Sequence, residues 1–430
     1  MEYDLAIIGA GWAGFNAALK AKELGLKACI IEKSQIGGTC LNLGCIPTKT
    51  LIQSAKIFSL AKKSANFGVE VSSPKLNLLR AQERKQNLIR QLASGMQFML
   101  KGVDFINAEA KILSAQEIKA GDKTIKTNFI LISSGSQPAQ LSNLRFDGKK
   151  VISSDEILNL NEVPRSLLVI GGGVIGCEFA SLFSALGSEV TVIEKMPQLL
   201  PGLDLETSKK LETIFKKKGV KVATNVDAAN FNPEDYSLAL LCVGRATKTE
   251  GLGFDKLGVK TANGRIIVDD YLKTSVDNIY AAGDCTGKLM LAHFAAYQGR
   301  VASENIALPA NPKKADNANV PNCIFTYPEI ASVGFSEEEA KARGIDVKIN
   351  KFDFLASGMA RILDEAEGFI KIISDSKTEK IIGASIIGPR ATELIASLAI
   401  AASCRLTTLQ IKDTIFAHPS LSEAIGESLE

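Results

Sequence analysis

Apolar residues in this chain gather into short runs of strand length, and the polar and glycine residues between them mark where each run turns. Residues 3–8 form one such run. It stops at a glycine-rich turn, GAGWAG, before a stretch of amphipathic helical spacing and a second apolar run ending at Glu32. The same order of strand, glycine turn, helix and strand returns at residues 167–194, LLVIGGGVIGCEFASLFSALGSEVTVIE. Between the two units, residues 51–63 and 76–101 carry helical periodicity. In the second of these Leu78, Ile89, Leu92, Met96 and Met99 lie broadly on one side, which predicts a core-facing helix. From 103 to 134 short alternating runs broken by Gly121 predict antiparallel strands, the last entering a glycine turn at ILISSGS. Residues 278–287, NIYAAGDCTG, predict another strand that turns at Asp284, and a helix opens at MLAH and runs to about residue 306. The Pro-, Asn- and Lys-rich stretch 309–322 reads as a linker. Beyond it the pattern predicts an α+β region, with strands near 331–334, 347–354, 368–374 and 381–387 and helices near 337–343 and 392–402.

The repeated unit carries chemistry. Gly9, Gly11 and Gly14, and again Gly171, Gly173 and Gly176, supply a G-x-G-x-x-G spacing. Such glycines permit a tight turn, close approach of backbone to a pyrophosphate, and close packing of helix on strand. Glu32 stands 23 positions after Gly9, and Glu194 stands 23 after Gly171, each where a carboxylate can accept from ribose hydroxyls. One glycine pattern alone is a weak signal. Two with the same acid offset predict two nucleotide-binding folds. At the second, a carboxylate accepts from a 2'-hydroxyl and repels a 2'-phosphate, and the following Lys195 and Met196 include no arginine, so NAD is expected over NADP. Trp12, the only tryptophan, sits in the first turn with no chemistry assigned to it.

Residues 37–49, GGTCLNLGCIPTK, set Cys40 and Cys45 beside Lys49 and read as a redox-active dithiol. The spacing is not Cys-x-x-Cys and is not repeated, so a four-ligand zinc site has no second half, and no metal is expected. Residues five apart on an ideal helix rise about 7.5 Å, beyond the roughly 7 Å limit on the Cα separation of a disulfide. The segment must therefore bend, and Gly44 and Pro47 permit or enforce that. Two unrelated buried cysteines are the bland alternative. Near the other end, FAHPSLSEAIGE places His418 and Glu423 five apart across Pro419.

Composition narrows the function classes. Hydrophobic residues make up 46% and charged residues 23% of 430 positions, enough for two or three domains with cores of their own, and the net charge of +3 implies neither nucleic acid nor an acidic membrane surface. The longest apolar run, 395–404, falls short of the ~18 residues of a membrane span. Eight cysteines in so long a chain are no secreted disulfide framework, and in a reducing cytosol a functional disulfide is transient and catalytic. The chain enters a strand at once, so no signal or transit peptide is expected. A soluble, cytoplasmic protein is expected.

With GGTCLNLGCIPTK, GGGVIGCE, NIYAAGDC, MLAH, YPEIASVG and HPSLSE in one chain, the sequence resembles the FAD-dependent pyridine nucleotide-disulfide oxidoreductases from end to end, the dihydrolipoamide dehydrogenases most closely. The resemblance implies an α/β fold with two Rossmann-like domains, for FAD and NAD, and a C-terminal α+β dimerisation domain. It implies a discontinuous FAD domain at 1–147 and 270–312, a shortened NAD domain at 148–269, and an interface domain at 313–430. FAD is then expected around Gly9, Gly11, Gly14, Glu32, Lys33, Gly38, Thr39, Lys49, Ala110 through its backbone, Gly135, Asp284, Met290, Leu291, Ala292 and His293. Asp284 has a turn-capping role as its alternative. NAD is expected around Gly171, Gly173, Gly176, Glu178, Glu194, Val226 and Gly244, with Lys49 and Glu178 paired beside the flavin.

The resemblance also assigns Cys40 as the sulfur attacked by a dithiol substrate and Cys45 as the thiolate released toward the flavin. A substrate thiol near pKa 8.5 needs a base, and His418 has the intrinsic pKa for it, with Glu423 to fix its tautomer. In this family the histidine acts on the disulfide of the other subunit, so a homodimer is expected. The implied substrate is dihydrolipoamide carried on an acyltransferase of a 2-oxo acid dehydrogenase complex or on the lipoyl protein of glycine cleavage, and no lipoyl domain is expected ahead of the chain. The sequence departs from the family between 226 and 238, where relatives place a strand hairpin, at Ser420, where threonine is usual, and at Arg390 and Phe294. Three alternatives stay open. A glutathione-type reductase would carry basic residues where Glu194 stands, a mercuric reductase would want a second C-terminal cysteine beside Cys404, and a non-turnover flavoprotein subunit would not need the full catalytic set.

Overall fold

The computed structural model describes residues 2–430. Its N-terminal sheet has seven strands, and the first apolar run, Glu2–Ile8, lies inside it, parallel to Ala28–Glu32 on one side and to Lys123–Ile132 on the other. Buried on both faces, these strands are near-continuous apolar runs, as parallel strands must be. Strand Asp104–Asn107 extends the sheet beyond Ala28–Glu32, and the hairpin Ala110–Ser114 with Glu117–Ala120 closes the opposite edge. The all-antiparallel expectation for residues 103–134 is thereby corrected. Only the hairpin and the start of Lys123–Ile132 pair antiparallel, whereas Asp104–Asn107 runs parallel to its neighbour. Strand Ile279–Ala281 returns from far along the chain to pair with the end of Lys123–Ile132.

The second sheet repeats the arrangement with five parallel strands, in the order 221–224, 189–194, 166–170, 238–241, 151–152. In both sheets the glycine turn follows the strand where the order reverses, the switch point at which open α/β sheets leave a crevice for a ligand. Where relatives are expected to carry a hairpin, two short 3-10 turns, Ala228–Asn230 and Pro233–Asp235, suffice to reach Leu238–Leu241. The C-terminal part is a five-stranded antiparallel sheet, Asn322–Ile324 through Val347–Asp353, with helix Ala391–Ser403 against it. One apolar core runs from the second sheet, through Phe179, Phe183 and Phe215, to Ile324 and Phe369 of the third. No helix among the described residues is long and apolar enough to cross a membrane.

Helix Cys45–Lys62 begins six residues before the periodic pattern that announced it. Pro47 is tolerated because it falls in the first turn, where its missing N–H is not needed.

Candidate active site

The two glycine turns are built alike. Gly9 and Gly171 take φ of +101° and +109°, and a Cβ at either would lie 2.4 Å from Ser133 O or 2.5 Å from Cys242 O. A Cβ at Gly14 or Gly176 would fall 1.9 Å from the oxygen of Gly9 or Gly171. Only glycine fits at these four positions. The carboxylates match as well. Glu32 accepts from the backbone N–H of Ala10 at 2.7 Å and of Ser34 at 2.8 Å, and Glu194 accepts from Gly172 at 2.7 Å and Met196 at 2.8 Å. Each carboxylate is thus fixed at its strand end with lone pairs left for ribose hydroxyls.

Helices Trp12–Glu23 and Val174–Leu186 both start after a glycine, Gly11 and Gly173, that offers no side-chain cap. Their first N–H groups are left for an anion. A Cβ at Gly173 would meet nothing within 4 Å, and one at Gly11 only Gly38 Cα at 3.9 Å. Open space over uncapped helix starts, with a fixed carboxylate alongside, fits a dinucleotide at each turn.

Other expected contacts gather around the first turn. Gly37 donates to Ala10 O at 2.8 Å, bringing Gly38 and Thr39, the first residues of helix Gly38–Asn42, against it. Gly135 takes φ of +76°, and the buried Ser134 hydroxyl beside it has no protein partner. Asp284 accepts from Ser136 Oγ at 2.5 Å, and Ser136 Oγ accepts from Arg245 Nε at 2.7 Å. The carboxylate of Asp284 is therefore engaged in an ordered chain and does not cap its own turn. Met290 precedes helix Ala292–Ala307, with Leu291 as its N-cap, and His293 Nε2 pairs with Pro321 O at 2.8 Å. Ala110 is buried at the start of the edge hairpin, and Lys33 pairs with Glu109 at 2.8 Å on the surface. At the second turn, Val226 N donates to Glu194 O at 3.1 Å, and Gly244 takes φ of +124° with open space beside it.

The cysteine segment bends where expected. Helix Gly38–Asn42 ends, Gly44 turns the chain with φ −146° and ψ −111°, and Cys45 begins the next helix. A Cβ at Gly44 would press on Thr39 O at 3.0 Å. The fold brings Cys40 and Cys45, here thiols, into hydrogen-bonding reach. Their acidities separate. Cys45 is pulled down to about 7, first by the hydrogen bond from Cys40 and then, against its burial, by Lys49. Cys40, as donor to Cys45 and itself buried, is pushed well up. The dithiol thus holds its negative charge on Cys45, at a helix N-terminus and beside a cation, where a thiolate is favoured.

Lys49 sits one turn further along the helix. Its ammonium is 2.8 Å from both carboxylate oxygens of Glu178, which is 3% exposed and also accepts from Phe325 N at 2.9 Å. The pair joins the cysteine helix to the helix of the second nucleotide turn. The Phe325 ring lies 4.7 Å from the same ammonium.

His418 and Glu423 form a dyad on the other side of the chemistry. Nδ1 of His418 is 2.7 Å from Glu423 Oε1, while Glu423 Oε2 accepts from Ser420 N at 2.7 Å. That backbone bond, and then the imidazole, hold the Glu423 carboxyl below its ordinary range. With Nδ1 bound, Nε2 is left as the working nitrogen. The His418 side chain is 82% exposed, so the dyad faces outward from its own chain.

Residues that spacing alone did not reveal complete the site: Phe325, Ser136 and Arg245. Among the departures, Phe294 is buried and stacks with Tyr297, and Arg390 takes a left-handed conformation as N-cap of Ala391–Ser403.

Comparison with known proteins agrees with this geometry. Residues 3–299 match the family described as pyridine nucleotide-disulphide oxidoreductase, and residues 320–429 match the dimerisation domain of that family. The chain is 39% identical to a dihydrolipoyl dehydrogenase of Bacillus subtilis, over 99% of this chain and 97% of the relative. It is 38% identical to a dihydrolipoyl dehydrogenase of Chlamydia trachomatis, over 99% and 96%. Among solved structures, LpdA from Mycobacterium tuberculosis superposes with a TM-score of 0.91 at 28% identity, covering 99% of each chain. The HOCl-induced flavoprotein disulfide reductase RclA from Escherichia coli superposes with a TM-score of 0.89 at 29% identity, again over 99% of each.

Proposed function

The chain belongs to the pyridine nucleotide-disulfide oxidoreductases, and from that premise we propose that it is a dihydrolipoyl dehydrogenase, oxidising protein-bound dihydrolipoamide at the Cys40–Cys45 pair and delivering the electrons to NAD. The observation that carries this reading is the charge-separated dithiol, Cys45 held as thiolate beside the Lys49–Glu178 pair at the junction of two nucleotide turns. FAD, bound at the first turn, supplies two-electron transfer between that thiolate and NAD at the second.

The chain's own residues account for the rest. The Nε2 of His418, from a second copy, takes a proton from the substrate dithiol, and Glu423 stabilises the imidazolium. The substrate thiolate attacks Cys40, a mixed disulfide forms, and Cys45 leaves as a thiolate that Lys49 stabilises. The second substrate thiol then closes the product disulfide and releases Cys40. The match to the dimerisation domain supports a homodimer, and the outward-facing dyad is consistent with action on the neighbouring copy. Glu194, fixed by two amides, favours NAD over NADP. The assigned domain limits, 1–147 with 270–312, 148–269 and 313–430, are supported by strand membership, because Ile279–Ala281 rejoins the first sheet. The partner we assign is a lipoyl-bearing acyltransferase or glycine cleavage protein, and the compartment is the cytoplasm, where a disulfide such as Cys40–Cys45 is transient and catalytic.

Steady-state oxidation of dihydrolipoamide with NAD tests the reading, alongside His418→Gln. The expected loss of turnover is about 10²- to 10⁴-fold, the usual contribution of a positioned base, with the flavin spectrum retained. Unchanged turnover in that variant would overturn the assignment of the base. Activity confined to other disulfides would favour a reductase like RclA, whose fold the chain shares.

A further inference from the structure

Lys49 and Glu178 cancel one another's charge, so Cys45 meets the nearer end of a dipole, and which end that is depends on where the Lys49 ammonium sits. Lys49 follows Cys45 by four residues on helix Cys45–Lys62, so the two side chains share a face. Helical side chains lean back toward the N-terminus, which carries the Lys49 stem toward Cys45. Glu178 arrives from another helix, Val174–Leu186, and both of its oxygens lie 2.8 Å from the ammonium. After the hydrogen bond from Cys40, and against its burial, Cys45 is made more acidic by Lys49 and less so by Glu178. An ammonium on a four-carbon stem is mobile. A swing of that stem past the carboxylate would turn the negative end of the pair toward the sulfur.

Phe325 touches both members of the pair. Its N–H donates to Glu178 Oε1 at 2.9 Å, and its ring centroid lies 4.7 Å from the Lys49 ammonium, within cation–π range. The backbone of Phe325 is held from both sides. Ile324 is buried in the core that joins the second and third sheets, and Thr326 is buried with its hydroxyl donating to Pro328 O at 2.6 Å. The same arrangement recurs two residues on. Tyr327 N donates to Ser181 Oγ at 3.0 Å, three residues after Glu178, and the Tyr327 ring lies 5.5 Å from the ammonium of Lys56, seven residues after Lys49. Residues 325–327, from the part that matches the dimerisation domain, thus run between the two helices, giving amides to one and rings to the lysines of the other.

We propose that Phe325 is a positioning residue for Lys49: its ring holds the ammonium on the Cys45 face of the helix while its N–H holds the Glu178 carboxylate, so that the departing Cys45 thiolate meets the positive end of the pair. The proposal rests on the reading of Lys49 as the cation that stabilises Cys45. An aromatic ring suits the task because it attracts the ammonium without adding a second anion, which leaves both bonds to Glu178 intact.

The test is a set of holoenzyme variants, reduced anaerobically with a phosphine and followed by ultraviolet thiolate absorbance against pH. The signal of Cys45 is taken as the difference from Cys45→Ser in the same background. Phe325→Leu and Phe325→Met remove the ring and keep the backbone N–H; Phe325→Tyr and Phe325→Trp keep both. Each ringless variant is expected to raise the Cys45 midpoint by about half a unit, roughly threefold in the ionisation ratio. The aromatic variants should stay within about 0.2 unit of the parent, because either ring face attracts a cation. In a Lys49→Met background, Phe325→Leu should add no further shift, since a residue that acts through another has no effect once that other is gone. An unmoved midpoint in both ringless variants, with Lys49→Met alone raising it, would overturn the proposal and leave the reading of Lys49 standing. A shift of equal size in the Lys49→Met background would also overturn it, because Phe325 would then act by packing alone. An unmoved midpoint in Lys49→Met would overturn the underlying reading, and the proposal with it.

Discussion

Lys371→Met tests whether the second nucleotide-binding sheet is held to the C-terminal sheet by a buried charge cluster. Lys371 is 2% exposed, and its ammonium lies 2.8 Å from Asp204 Oδ2, 2.7 Å from Glu337 Oε2 and 3.5 Å from Glu206 Oε2. Asp204 is itself fully buried and caps helix Leu205–Lys217 through Thr207 N. Burial would pull the lysine pKa down, but hydrogen bonds to Asp204 and Glu337 outweigh it and hold the pKa above its ordinary value. With the folded pKa raised, the contribution is fully present below about pH 10 and is lost only as pH rises through the folded value, so it stays flat between about pH 6 and 9. At an effective dielectric of about 20, opposite charges about 3 Å apart attract by roughly 5–6 kcal/mol. After desolvation, removing one member of a buried pair costs about 3–5 kcal/mol, because the other is left uncompensated. Glu337 and Glu206 can turn to water; Asp204 cannot. The assay is urea unfolding of the holoenzyme at pH 7.5, followed by far-UV circular dichroism and flavin fluorescence. The variant should lose about 3–5 kcal/mol in its first transition while flavin stays bound in native buffer. Asp204→Asn with Lys371→Met keeps the helix cap and removes both charges, and should recover more than half of that loss. A loss below about 1 kcal/mol, or a double variant no better than the single, would refute the reasoning.

Two further outcomes are expected at the site. Lys49→Met removes the cation that, after the hydrogen bond from Cys40, helps hold Cys45 at about 7, so the thiol pKa should rise and the thiolate fraction at pH 7.5 should fall below its present value of about three quarters. Ultraviolet absorbance of the thiolate against pH reads this directly, and an unmoved midpoint would remove Lys49 from the account. Glu194→Arg replaces the fixed carboxylate by a group that attracts a 2'-phosphate. The ratio of kcat/KM for NAD over NADP should drop at least about tenfold, equivalent to roughly 1.4 kcal/mol, and a ratio within twofold of the parent would refute the assignment.

What could be read from the sequence was whatever a local backbone demand imposes. Gly9, Gly14, Gly171 and Gly176 stand out because no Cβ fits there, and Glu32 and Glu194 because a strand end fixes their offset. Gly44 showed where the cysteine segment bends, and the short span from 226 to 238 has room for only two short turns before Leu238–Leu241. Pairing direction was less accessible. Asp104–Asn107 looks like any short alternating strand, and its parallel partner lies some 75 residues earlier. Phe325 reaches Glu178 across 147 positions, and Ser136 reaches Asp284 across 148. Such contacts leave no periodic trace.

The most direct test of the central claim is differential alkylation of the oxidised holoenzyme before and after one equivalent of dihydrolipoamide under anaerobic conditions. The account gives Cys40 and Cys45 protected beforehand and labelled afterwards, the other six cysteines unchanged, and protection restored by a stoichiometric amount of NAD. Both thiols labelled from the start, or protection that dihydrolipoamide does not lift, would contradict it.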